Sequence, residues 1–163
     1  MAAYPNSTTD RAAQIRAALK AKGWSSRDIS VKAEYYSMGS SLHIRIKNPT
    51  VPLAPVEAIA NAHESIDRDQ FGDILSGGNR FVHVGYTSEA RDVLAARYAA
   101  VITAAQVELD AASQNSLIPI GATGYLLGRG YTGFGYSLWK DGHLQDANEA
   151  LHLASLLAIR LQV

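Results

Sequence analysis

The chain has 163 residues, of which 47% are hydrophobic and 18% charged, and its 15 Lys+Arg balance 15 Asp+Glu for zero formal net charge. That length suits a single domain with one core, and that apolar content excludes wholesale disorder. Zero net charge excludes a global field drawing the chain to nucleic acid or anionic membrane, and the absence of cysteine excludes disulfides, thiolate zinc sites and a cysteine nucleophile.

The first residues, Met1 to Asp10, lack the basic start and apolar run of a secretory signal, and no stretch approaches about 18 uninterrupted apolar residues. A cytoplasmic location without membrane contact is the expectation. Thr8 or Thr9 is placed to cap a helix with Asp10 in its first turn, Lys20 and Lys22 in its last, Gly23 as its stop and Ala12, Ile15, Ala18 and Leu19 as its buried stripe. Ile29, Val31, Ala33 and Tyr35 then alternate with polar residues. After Ser37-Met38-Gly39-Ser40 the alternation resumes as Leu42, Ile44 and Ile46, a β-hairpin with one wet face.

Pro55 suits the first turn of a second helix bearing Val56, Ile59, His63 and Ile66. Residues 67 to 79 read as a loop, Phe81 to Val84 as a third strand, and a long helix follows from a Thr87 or Ser88 cap through Leu94, Ile102 and Leu109. From Gly121 to Gly135 the glycine-rich run has no clean period and reads as a loop or irregular hairpin. A strand-like Tyr136-Ser137-Leu138-Trp139, a Lys140-Asp141-Gly142 turn and a last helix bearing Ala147, Leu151, Ala154, Leu157 and Leu161 complete the pattern. The expected fold is α+β: one domain with a β-hairpin, a third strand, flanking helices and a C-terminal helical extension over residues 111 to 163.

The stretches Ala13 to Ala21 and Ile29 to Ile44 carry a further signal, above all Tyr36-Ser37-Met38-Gly39-Ser40-Ser41. With Pro55-Val56-Glu57-Ala58-Ile59, Arg80-Phe81-Val82-His83-Val84 and Ser88-Glu89-Ala90, this order resembles the large polyvalent protein-associated domain LPD29 of phages and conjugative elements, over about residues 8 to 110. The resemblance implies a protein that helps a mobile element establish itself in a bacterial host. It brings no catalytic residues with it.

Among motifs with chemical content, Gly128-Arg129-Gly130-Tyr131-Thr132-Gly133 has the GxGxxG spacing of dinucleotide sites, but no parallel strand precedes it and no long helix follows, so no cofactor is expected. The GxxG runs at Gly121 and Gly130 lack the basic middle residues and flanking helices of a KH loop. His43, His63, His83, His143 and His152 show no helical metal spacing, and no metal site is expected; His43 and His83 form a pair only if their strands neighbour with both rings on one face. There is no G-x-S-x-G elbow, and Asp67, Asp69 and Asp73 read as solvated loop carboxylates.

Two surfaces remain as binding candidates. Lys32, Tyr36, His43, Arg45 and Lys47 project from the hairpin's outward face, with Glu34 diluting the charge, and suit either a solvated face or a grip on phosphates and bases. Tyr125, Arg129, Tyr131, Phe134, Tyr136 and Trp139 are residue types that anchor protein interfaces or pack internally. The function expected is therefore a non-enzymatic interaction protein of a phage or mobile element, one form of which is inhibition of a host defence complex, with a host protein or a second copy (a homodimer) as partner. The alternative is a nucleic-acid binder using the face of the 29–47 hairpin, and a third is a small hydrolase or nuclease built on His43 and His83.

Overall fold

The first helix, α1 (Thr8–Ala21), is capped one residue earlier than the threonines suggest. Ser7 accepts the Asp10 amide at 3.1 Å while its own amide and hydroxyl reach the Asp10 carboxylate, a reciprocal box that satisfies the first turn with Asp where Glu or Gln is usual. Thr8 is buried instead of capping. The helix ends as expected at Gly23, with φ +88: the Trp24 amide donates to the Leu19 carbonyl and the Gly23 amide to that of Lys20, the paired bonds of a Schellman stop. The computed structural model describes residues 7–37, 39–75, 79–130, 135–148 and 150–161.

The link from α1 to the sheet is tied down by Asp28. Its carboxylate accepts the Asn48 side-chain amide and the Ser25 hydroxyl and amide, while its carbonyl accepts the amides of Lys47 and Asn48. Those bonds, Asn48 first, hold the carboxyl at about 2, below its ordinary 3.8. A depressed carboxyl stabilises the fold above its unfolded pKa and loses that contribution as the pH falls through the folded value. Melting temperatures of the protein and of Asp28→Asn should therefore differ above about pH 4 and converge towards pH 2; curves that stay parallel over that range would contradict this role.

Strands β1 (Ile29–Tyr36) and β2 (Gly39–Ile46) pair antiparallel with Lys32 opposite His43, and β3 (Asn79–Tyr86) lies parallel to β2 with His43 opposite His83. The parallel step needs a crossover, which helix α2 (Leu53–Asn61) supplies. It starts two residues before Pro55, which sits in the first turn where no amide donor is required, and it ends before His63. On the inner face Ile29, Val31, Leu42, Ile44 and Ile46 are buried, as are Ala12, Ile15 and Leu19 of α1 and Val56 and Ala60 of α2. Ala33 and Tyr35 share that face but are exposed. Asn79 is buried at the start of β3, where its side chain accepts the Asp67 amide and donates to the Leu75 carbonyl, anchoring the loop in between.

Helix α3 (Ser88–Ala111) starts from Thr87, whose hydroxyl accepts the Ala90 amide. The chain divides into two compact units, Met1–Ala90 and Arg91–Val163, with the division inside this helix. The second unit holds a sheet in the order β4 (Ile118–Pro119), β5 (Leu126–Arg129), β6 (Tyr136–Lys140) and β7 (His143–Asn148), all antiparallel, followed by helix α4 (Ala150–Arg160). Ala95, Ile102, Ala105 and Leu109 of α3 share a core with Leu127, Leu138, Leu153 and Leu157. One open alternative is resolved here and one expectation changes. Of the loop or irregular hairpin expected for the glycine-rich run, residues 126 to 129 form the first strand of a hairpin, and Ala147, expected in the last helix, lies in β7 opposite Ser137. The turn between β6 and β7 is as expected, with Asp141 and Gly142 both at positive φ, which matches a two-residue hairpin connection.

Candidate binding face on the first sheet

Side chains alternate along a strand, so the residues that β1, β2 and β3 do not send inward make up one outer face. The register arranges it in rows: Lys32, His43 and His83 lie side by side, with Ser30, Arg45 and Gly85 on one flank and Glu34, Ser41 and Phe81 on the other. Because β2 and β3 run parallel, the two histidines sit level, and their rings stack with centroids 5.0 Å apart and planes 27° from parallel. The Nε2 of His43 lies 2.9 Å from the Glu34 carboxylate and 3.0 Å from the Ser41 hydroxyl. Glu34 thus holds the ring in place instead of merely diluting charge.

Gly85 leaves room for Arg45, whose Nη1 would lie 3.4 Å from a Cβ at that position. His43, Arg45 and His83 border a shallow depression of about 540 Å³ with Glu57 and Asn61 of α2 on its other side. Tyr36 stands at the hairpin end of the face with 43% of its surface exposed. Lys47 departs from expectation: it lies beyond β2, and its Nζ donates to the Ser26 carbonyl, bracing the α1–β1 link.

The aromatic group in the second unit is arranged for packing. Tyr125 is only 5% exposed and belongs to the unit's core, with Lys140 Nζ 5.0 Å from its ring centroid. The Arg129 guanidinium donates to the Leu109 and Ala112 carbonyls and lies 3.6 Å from Asp110, closing the C-terminal end of α3, where a cation is favoured. Trp139 donates to the Ser137 hydroxyl and packs over Gly128. Tyr131 and Phe134 lie outside the described residues, as do the last three positions of the GxGxxG run.

No protein family, curated protein or solved structure matches the chain.

The histidine cluster also bears on catalysis. A nucleophilic relay needs the serine on one ring nitrogen and the carboxylate on the other, so that the base passes a proton along the line. Here Ser41 and Glu34 approach the same nitrogen, and Ser41 is only 3% exposed. Two histidines that flank a scissile phosphate need room for it between them, and rings stacked at 5.0 Å leave none. Among the described residues, no group of three or more His, Asp or Glu is placed to hold a metal, and no helix is long and apolar enough to cross a membrane.

Sequence reasoning weighed His83 but did not bring it onto the binding face, because a parallel register through a crossover leaves no local mark. One signal was available: Leu42-His43-Ile44 and Val82-His83-Val84 repeat the same apolar-His-apolar triplet.

Proposed function

We propose that the protein is a non-catalytic binder of single-stranded nucleic acid, and that it binds through the outer face of β1, β2 and β3. The observation that carries this function is the His43–His83 stack on an outward face, flanked by Lys32 and Arg45. Aromatic rings on a sheet offer stacking surfaces to unpaired bases, and the neighbouring cations take the phosphates. The mobile-element setting that the resemblance over residues 8 to 110 implies is compatible with it.

Fluorescence anisotropy with a labelled oligothymidine and an oligouridine tests it. With phosphates at Lys32 and Arg45, log Kd should rise with log salt at a slope of about 1.4, from roughly 0.7 per contact on a single strand. Lys32→Glu with Arg45→Glu should remove that slope, and His83→Ala should weaken binding by about 1–3 kcal/mol through lost stacking. The oligonucleotide should remain intact. No binding at low salt would reject the proposal, and cleavage would replace it with a nuclease.

A protein partner is the second reading, favoured by the zero net charge of the chain and by Glu34 and Glu57, which bring negative charge to the same face. A host defence complex is then the class of partner, and affinity purification from a susceptible host, repeated with the Arg45→Glu variant, separates the two readings.

A further inference from the structure

A second surface in the first unit adjoins the outer face and shares Ser30 and Lys32 with it. Where α1 ends over the edge of β1, Leu19, Trp24, Ile29 and Val31 form the mainly apolar floor of a groove of about 520 Å³. Ser30 and Lys32, from the opposite face of β1, also line it, so the groove follows the edge of the strand, and β1 is the outer strand of its sheet. Its rim is cationic: Arg16, Lys20 and Lys32 border it, all three are exposed, and among the described residues no carboxylate lines it. None of the three is ion-paired among the described residues.

An exposed strand edge invites pairing with an added strand, but here two of its backbone groups are already engaged. The Ile29 amide donates to the Ser25 carbonyl at 3.0 Å, and the Val31 carbonyl accepts Arg16 at 2.6 Å. At this end of the strand an occupant is therefore held chiefly by its side chains. The floor takes a bulky apolar group against the Trp24 ring, and the rim takes negative charge on either side of it. Such a combination of an aromatic-lined slot with arginine and lysine is the pattern of recognition for an acidic segment with an apolar anchor.

We propose that this groove is a docking site for an acidic peptide segment of a partner protein, one that places a leucine or aromatic side chain against Trp24 and carboxylates against Lys20, Arg16 and Lys32. The chemistry of the rim disfavours a basic partner, and because Lys32 borders both surfaces the peptide and nucleic acid compete for that one cation, whereas Arg16, Lys20 and Trp24 belong to the groove alone.

Selection of random 12-residue peptides displayed on phage against the full chain tests the site. Enriched peptides should combine Asp or Glu with one bulky apolar residue. As synthetic peptides they should shift the tryptophan emission in a way that Trp24→Phe abolishes, and bind about fivefold more weakly to Lys20→Glu, the order expected for an exposed charge contact. Arg45→Glu, which removes one of the two nucleic-acid cations and lies outside the groove, should leave peptide binding unchanged, so the failure of one site does not imply the failure of the other. Absence of enrichment, enrichment without acidic bias, or peptides indifferent to Lys20→Glu would overturn the proposal.

Discussion

Gly39→Ala should destabilise the first unit by about 3 kcal/mol, because the new methyl group has nowhere to go. A Cβ at that position would lie 2.5 Å from the Asn79 carbonyl oxygen, far inside contact distance, and the atom in the way is backbone. Gly39 also has φ +155, a value that side chains rarely adopt. The obstruction cannot swing aside, since Gly39 and Asn79 are register partners at the first rung of the β2–β3 ladder and the Asn79 side chain is itself bonded on both sides to the preceding loop. Relief would come only by opening the ladder. Gly85→Ala is the internal control: its Cβ would meet only an Arg45 nitrogen at 3.4 Å, an ordinary contact with a flexible side chain. Urea melts should place Gly39→Ala well below the parent protein and Gly85→Ala near it. Equal midpoints for the two variants would show that the close approach at Gly39 is not real.

Arg11→Met should move stability in the opposite direction, by about 1–2 kcal/mol. Arg11 is only 3% exposed, and among the described residues its one hydrogen bond runs from Nη1 to the His63 carbonyl at 3.0 Å. Its Nε and Nη2 are buried with no partner among the described residues. Burial, then the neighbouring Arg80 charge, push the guanidinium pKa below its ordinary value, so the folded state holds this cation at a disadvantage. Methionine keeps the aliphatic reach of the side chain and removes the unpaired charge. The lost bond to His63 offsets part of the gain, which is why the expected net is modest. A lower melting temperature for Arg11→Met would mean that the guanidinium is better satisfied than its contacts indicate.

These two positions also illustrate what a sequence discloses. Gly39 stood within the hairpin signature, and the physical reason lies in the pairing of β2 with a strand forty residues later, which no local pattern records. Arg11 was invisible because hydrophobic periodicity treats every arginine as a surface residue, yet it sits one position before Ala12 in the buried stripe of α1. The α1 helix, the hairpin and α3 were legible because a single apolar face runs through each, reinforced by Thr87 and by the Gly23 stop. The first cap was misplaced by one residue, since Ser7, Thr8 and Thr9 are chemically interchangeable until the reciprocal bond with Asp10 selects Ser7.

The second sheet was largely illegible for a different reason. Gly128 stands in β5 because a Cβ there would lie 2.7 Å from Leu117 and 2.8 Å from the Ser137 hydroxyl, so close packing put a glycine where a strand pattern requires a side chain. In β7 the run into Ala147 resembles a helix until its pairing with β6 is known. The candidate site was partly legible: Lys32, His43 and Arg45 were placed on one face by simple alternation, whereas His83 joined them through the parallel register and Lys47 left them for the Ser26 carbonyl. Tyr125 and Arg129 show the reverse case, residue types that often anchor interfaces but that here support the core and the end of α3.

The central claim is that the outer face of the first sheet contacts single-stranded nucleic acid. Titration of the isotopically labelled protein with oligothymidine at low salt, followed by amide chemical shifts, tests it most directly. Shifts concentrated at Lys32, His43, Arg45 and His83, with Leu42, Ile44 and the second unit quiet, are the result predicted. No shifts, or shifts confined to residues away from that face, would contradict it.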